Sequence, residues 1–232
     1  RPERALVRLL LREEPQEARQ LHEDVLIHVT AFFRDPEVFE ALQKSVFPEL
    51  LTPRPEGAQI RIWVAGCSTG EEVYSIAMLT REAGLFPSRA VRIFGSDISR
   101  RCVVAARRGV YGASSFRAIP PEMRRRYFFE RHDGMHVVEE LRALCQFGQL
   151  NLLDSARASV VGRVDVIFCR NVMIYFDEAS RRRVIEMFYD RLLPGGFLLL
   201  GHSESLLNIS TAFELVHLRE DLVYRKPISA VR

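Results

Sequence analysis

An α/β fold on a largely parallel, doubly wound sheet is what this sequence predicts, and three observations predict it. The apolar run 60–65 passes through a turn with two glycines, Gly66 and Gly70, into a stretch of helical spacing where Val73, Ile76, Ala77 and Thr80 share one face. Further apolar runs of strand length, at 91–95, 165–169 and 197–200, alternate with helical segments, the pattern of βαβ units. The last two runs, 213–218 and 222–225, are separated only by Arg219-Glu-Asp221 and read as a closing antiparallel hairpin.

Each element has a local cause. Residues 1–24 are charged and helical in tendency, with Pro15 as an interruption. Asp35-Pro36 reads as a helix start, Asp35 as the cap and Pro36 at the first position, with Val38, Phe39, Leu42 and Val46 as the buried stripe. Pro48, Pro53 and Pro55 end that helix and lead into the first strand. The run 91–95 ends in Ser96-Asp97; an Arg-rich helix follows to Arg108 and is broken at Gly109-Val-Tyr-Gly112. Between 113 and 150 the alternation stops. A Pro-initiated helix at 120–128, a hairpin signal at Asp133-Gly134 and an apolar run at 144–150 together predict a small antiparallel insert at about 127–150. The pattern then resumes, with Asp177 capping a helix whose core face holds Val184, Met187, Phe188 and Leu192, and with Pro194-Gly-Gly196 as the turn before the run 197–200. The expected division is a helical segment and linker over 1–55 and the main domain, with its insert, over 56–232.

Composition narrows the function classes. The 232 residues, 47% apolar and 27% charged, suffice for one α/β domain with a small appendage. A net charge of +3 does not point to nucleic acid. No run approaches the roughly 20 apolar residues a membrane helix needs, and the first residues lack a signal peptide's apolar core. Cys67, Cys102, Cys145 and Cys169 have no metal-ligand spacing and read as free thiols of a cytoplasmic protein, so no metal is expected. Because the chain starts at Arg1, it is expected to be cut from a longer protein. Arg124-Arg-Arg126 and Arg181-Arg-Arg183 read as solvated helix faces.

Candidate site residues gather where strands end, because open α/β sheets bind ligands at their carboxyl ends. The first strand ends in Gly66-Cys-Ser-Thr-Gly-Glu-Glu72, a turn that lets backbone approach a ligand but that is acidic. Glu71 and Glu72 disfavour phosphate and favour a ligand with a cationic part; S-adenosylmethionine, with its sulfonium and ammonium, fits. The second strand ends in Asp97, roughly 20–30 residues beyond the glycines, where a carboxylate can accept from both hydroxyls of a ribose; Asp97 also suits a cap for the helix from Ile98. Asn151-Leu152 offers an amide and an apolar surface for an adenine edge and face. Arg170-Asn171 and Tyr175 follow the next strand.

Six motifs in order make the sequence similar to one family. Thr30-Ala-Phe-Phe-Arg-Asp35, Gly66-Cys-Ser-Thr-Gly-Glu-Glu72, Ser96-Asp-Ile98, Leu150-Asn-Leu-Leu153, Phe168-Cys-Arg-Asn-Val-Met-Ile-Tyr-Phe-Asp177 and Leu200-Gly-His-Ser-Glu204 together resemble the chemotaxis-receptor glutamate methyltransferases, CheR, from about His28 to Lys226. The resemblance implies a class I S-adenosylmethionine-dependent methyltransferase sheet, Rossmann-like, with an inserted β-subdomain and an N-terminal helical domain that is here short and truncated. It implies methyl transfer from S-adenosylmethionine to glutamates of a receptor's cytoplasmic helical domain, leaving S-adenosylhomocysteine. By motif position Thr30, Arg34, Glu71, Asp97, Asn151, Leu152, Arg170 and Asn171 match cofactor-site residues, and Tyr175 matches the active-site tyrosine; Arg34 and Tyr175 are the pair expected nearest the transferred methyl. The position of His28 is usually Asn in the family. The alternative roles are a salt bridge from Arg34 to Asp35 or Glu37 and plain packing of the Tyr175 ring. Some members tether a receptor's C-terminal peptide on a longer hairpin; the short Glu130-Arg-His-Asp-Gly-Met135 turn here implies independence of such a peptide. Two alternatives remain open: a class I methyltransferase with another acceptor, and a non-catalytic module that binds the cofactor or a receptor.

Overall fold

The computed structural model describes residues 30–52, 58–84, 91–218 and 222–228. Pro36 opens α1 (Pro36–Ala41), which runs through a π turn at Leu42–Val46 into α2 (Phe47–Leu51). The wide turn has a cause: Pro48 has no amide to continue a regular ladder, and Phe47 N–H instead donates back to Leu42 O. The expected stripe of Val38, Phe39, Leu42 and Val46 is buried.

The chain then lays down β1 (Ile60–Ala65), α3 (Glu71–Glu82), β2 (Val91–Asp97), α4 (Arg100–Arg108), β3 (Val110–Tyr111), α5 (Pro121–Tyr127), β4 (Phe128–Arg131), β5 (Gly134–Val137), α6 (Glu139–Arg142), β6 (Cys145–Gln149), α7 (Ser155–Ala158), β7 (Val164–Cys169), α8 (Glu178–Arg191), β8 (Leu192–Leu200), β9 (Glu214–His217) and β10 (Leu222–Arg225). Seven strands form the central sheet in the order β6-β2-β1-β7-β8-β10-β9. The first five are parallel, and β10 and β9 add antiparallel. β1 and β7 are buried on both faces, as parallel strands covered by helices must be. From β1 the chain steps outward to β2 and β6, then returns to β7 on the other side of β1. Strand order therefore reverses between β1 and β7, and their carboxyl ends open the crevice where such sheets bind ligands.

The insert differs from its expected span. Its three-stranded antiparallel sheet is β3-β5-β4, and the run 144–150 is not part of it: β6 pairs parallel with β2 at the edge of the central sheet. The reason is packing between strands. A Cβ on Gly95 would lie 2.8 Å from Phe147, and one on Gly148 would lie 2.9 Å from Phe94, so each strand supplies a glycine where the other's aromatic ring sits. The hairpin at Asp133-Gly134 falls where expected, between β4 and β5. Asp177 caps α8 by accepting from Ser180 N–H at 2.8 Å. The turn 219–221, the segment 1–24 and Pro53 and Pro55 lie outside the described residues. Among the described residues no helix is long and apolar enough to cross a membrane.

Candidate active site

The turn after β1 is locked from within. Gly66 and Gly70 take φ of +81° and +94°, and Ser68 also sits in the left-handed region. The amides of Gly66 and Cys67 both donate to Ser96 O, at 2.7 and 2.9 Å. A Cβ on Gly66 would lie 2.4 Å from Val172, and one on Gly70 would lie 2.8 Å from Ala106 and 3.1 Å from the Tyr111 hydroxyl. The space a side chain would take at either glycine is filled by the protein's own side chains, so both positions must be bare for the turn to pack. Ser68 Oγ is buried in this turn without a hydrogen-bond partner among the described residues.

Asp97 ends β2 and faces that turn. Its Oδ2 accepts from Ser68 N–H at 2.8 Å and its Oδ1 from Ser99 N–H at 2.9 Å. Each oxygen keeps acceptor capacity, so Asp97 can brace the turn and still receive hydroxyls. The cap of α4 is Ser99, which accepts from Cys102 N–H. Leu150 N–H donates to Asp97 O at 2.9 Å and draws the end of β6 alongside. There Asn151 is exposed and accepts from Leu153 N–H at 3.0 Å. Leu152 is buried as part of the second apolar core, so Asn151 is the more accessible of the two.

Glu71 starts α3, buried, accepting from Thr69 Oγ1 at 2.6 Å and Ser115 Oγ at 2.9 Å. Burial pushes its carboxyl above the usual range, against the pull of those two hydroxyls. Ser115 was not singled out by the sequence, where it falls in the stretch between 113 and 150 that breaks the alternation. Its carbonyl also accepts from Phe32 N–H at 2.9 Å, so one serine ties α3 to the 30–35 loop.

That loop is strained and heavily braced. Phe33 and Asp35 adopt φ of +53° and +57°, a conformation that costs a non-glycine residue about 1–3 kcal/mol. Phe33 N–H donates to Ser75 Oγ at 2.9 Å, and the Phe32 ring packs against Tyr111, Phe116 and Phe128. Arg170, at the end of β7, closes the brace: Nη2 donates to Asp35 at 2.9 Å, Nη1 to Arg34 O at 3.2 Å and to Glu72 at 3.3 Å. Asp35 therefore does not cap α1 as expected; its backbone is left-handed and its carboxylate is committed to Arg170. The Arg170 side chain is 2% exposed. Burial raises the Glu72 carboxyl, opposed by Arg170 and Arg34. Thr30 is half-buried at the start of the loop, and the Arg34 side chain stays partly exposed, 3.9 Å from Asp35.

Beyond Arg170, Asn171 takes φ of +57° and a tight turn at Met173–Tyr175 presents Tyr175, 62% exposed. Glu204, quoted in a motif but given no role, accepts from the backbone of this loop. Of the residues picked from sequence, Arg34, Glu72 and Arg170 form one cluster, and Gly66, Asp97 and Asn151 meet along the ends of β1, β2 and β6. His28 lies outside the described residues.

A ligand for this edge must offer hydroxyls to Asp97 and positive charge to the acids of the turn, and phosphate would meet Glu71 and Glu72 instead. S-adenosylmethionine meets those terms, and the fold agrees: this is a class I S-adenosylmethionine-dependent methyltransferase. The rRNA methyltransferase aviRa from Streptomyces viridochromogenes shares the fold with a TM-score of 0.50 at 13% identity, over 80% of this chain and 83% of that one. Sequence narrows the class. Residues 28–222 match the family described as CheR methyltransferase, SAM binding domain, and the chain belongs to that family. It is 39% identical over 203 residues to chemotaxis protein methyltransferase 2 of Vibrio cholerae, covering 87% of this chain and 70% of the relative. It is 37% identical to chemotaxis protein methyltransferase 1 of Pseudomonas aeruginosa, covering 84% and 73%.

Proposed function

We propose that this enzyme methylates glutamate side chains on the cytoplasmic helical domain of a methyl-accepting chemotaxis receptor, giving glutamyl methyl esters and S-adenosylhomocysteine in the cytoplasm. The observation that carries the reading is Arg34: a partly exposed cation on a strained loop whose backbone carbonyl accepts from Arg170, at the end of the same strand that Tyr175, itself exposed, follows. Such a cation suits an acidic acceptor. The names of the relatives, chemotaxis protein methyltransferases, supply the setting.

Bound S-adenosylmethionine supplies an electrophilic methyl on a sulfonium. The rest is positioning by the chain. Arg34 orients the incoming carboxylate by one oxygen, since a tight bidentate pair would blunt the nucleophile. The Tyr175 hydroxyl hydrogen-bonds the same carboxylate or lines its path. A carboxylate attacks without losing a proton, so no general base is required, and orientation with exclusion of water carries the rate. Asp97 accepts the ribose hydroxyls, Asn151 and Leu152 take the adenine, and His28, Thr30, Gly66, Glu71, Arg170 and Asn171 complete the cofactor site. The short hairpin of β4 and β5 supports recognition without a tethering peptide; micromolar, saturable binding of a receptor tail peptide in a titration would count against this.

The test of the acceptor uses cofactor labelled on the methyl, with receptor cytoplasmic domains as substrates, followed by alkali. Release of labelled methanol identifies carboxyl methyl esters. Label that resists alkali, or label taken up only by nucleic acid or a small molecule, refutes the reading.

A further inference from the structure

One carboxylate outside the assigned site makes an unusual set of contacts. Glu204 Oε1 accepts from the amides of Val172 at 2.8 Å, Met173 at 2.7 Å and Ile174 at 3.3 Å, and Oε2 accepts from Asn171 and Gly201, each at 2.8 Å. Four consecutive amides after β7 thus converge on one anion, a nest of the kind that binds phosphate when no side chain fills it. Here the protein fills its own nest.

The surroundings leave little play. A Cβ on Gly201 would lie 2.9 Å from Glu204 Oε2 and 3.0 Å from Asn171 N, so that position must be bare for the carboxylate to reach. On the other side Val172 fills the space beside Gly66. The loop is clasped between the glycine turn and the carboxylate. Its tip has little packing of its own: Ile174 and Tyr175 are 44% and 62% exposed. Met173 is the buried anchor, and Arg181 braces the far side by donating to Met173 O and Phe176 O, both at 3.0 Å.

We infer that Glu204 is a positioning residue for methyl transfer, holding the Asn171–Tyr175 loop so that Tyr175 stands in line with the acceptor. This rests on the role proposed for Tyr175. A charged acceptor is needed because four donors of one polarity face it together with Gly201; charge-assisted bonds are about twice as strong as neutral ones. Glutamine would turn an amino group toward amides that can only donate. Aspartate keeps the charge and falls short by one methylene.

Three measurements test the inference. The first is amide exchange in the ligand-free protein. Glu204→Gln should speed exchange at 171–174 and leave β1 and β7 unchanged; exchange unaltered at the loop, or raised evenly through the sheet, overturns it. This needs no receptor, so it stands whatever acceptor the enzyme uses. The second is the division of effects. Turnover should fall on the order of 10²-fold, the scale of a 1 Å misplacement, while affinity for S-adenosylhomocysteine falls much less; Glu204→Asp should recover part of the turnover. The third is coupling. On a Tyr175→Phe background, Glu204→Gln should cost far less than on the wild type, because both act through one hydroxyl. Additive losses, or full turnover in Glu204→Gln, overturn the inference. Wild-type protein that methylates no receptor glutamate sinks the proposed acceptor instead, and leaves the exchange result to judge Glu204.

Discussion

The 66–70 turn and the loops at 30–35 and 170–175 stand at one edge of the sheet but are held in different ways. The turn is fixed by main chain and near neighbours: amides to Ser96 O, a carboxylate one strand away at Asp97, and side chains where a glycine Cβ would sit. The two loops are fixed by charged side chains reaching across the chain, Arg170 to Asp35 and Glu204 to the amides after Asn171. The first arrangement suits a cofactor that binds alike in every turnover. The second puts strained backbone, at Phe33, Asp35 and Asn171, beside the residues proposed to meet the acceptor.

If that contrast is right, its largest effect lies at Arg170. Replacing it with methionine keeps volume but leaves Asp35 and Glu72 with only the partly exposed Arg34 as a neighbouring cation. Removing one partner of a buried pair costs about 3 kcal/mol or more, which for a chain of this size is roughly 6–12 °C in melting temperature. A melt lowered by only a degree or two would show that the loops are held by packing instead.

Next come the residues those loops present. Arg34→Ala and Tyr175→Phe should each lower turnover on the order of 10²-fold and lower cofactor affinity less. Thermal melts must stay near wild type for the comparison to hold. Full turnover in either variant removes that residue from the chemistry.

The contrast also marks what the sequence made legible. The 66–70 turn, Asp97 and the α/β class follow from local grammar, a strand, a turn and a helix in register with their apolar spacing. Asp177 and the hairpin at Asp133-Gly134 are equally local. Arg34 came only through resemblance, and Tyr175, placed by its strand end, took its role from it, because what fixes their loops is remote: the Arg170–Asp35 pair joins residues far apart in the chain. For the same reason Asp35 was misread as a cap, Ser115 drew no notice, and the run 144–150 was misread as part of the insert. A strand's sheet is decided by its cross-strand partner, here Phe147 over Gly95, and no window of sequence contains both.

On the cofactor side the expected effect is smaller and confined to binding. Asp97→Ala should weaken S-adenosylhomocysteine by about 1.5–3 kcal/mol, the worth of hydrogen bonds to a charged group, or roughly 10- to 100-fold. Calorimetry settles it. Unchanged affinity would make Asp97 only a brace for Ser68 and Ser99.

The smallest effect is expected at Glu71, and it tests whether the cofactor side holds its acid at a cost to stability. Burial raises this carboxyl above the usual range. The sign follows from proton binding: between its unfolded value and its raised folded value, the native state holds the proton more often than the unfolded state does. Stability therefore falls as pH rises through that window, and the cost is complete above it. Glu71→Gln removes the titration and keeps most of the contacts, because the Thr69 and Ser115 hydroxyls can turn to give or accept. Urea unfolding of both proteins from about pH 5 to pH 8 should show a shallower decline for the glutamine variant, with Glu72 still titrating in each. The cofactor should read the same charge in the opposite sense. An ionised Glu71 favours a cationic ligand, so affinity for S-adenosylmethionine should rise with pH through that window in the wild type and rise less in the variant. Parallel stability curves for the two proteins would show that Glu71 ionises in the fold as freely as it does in water.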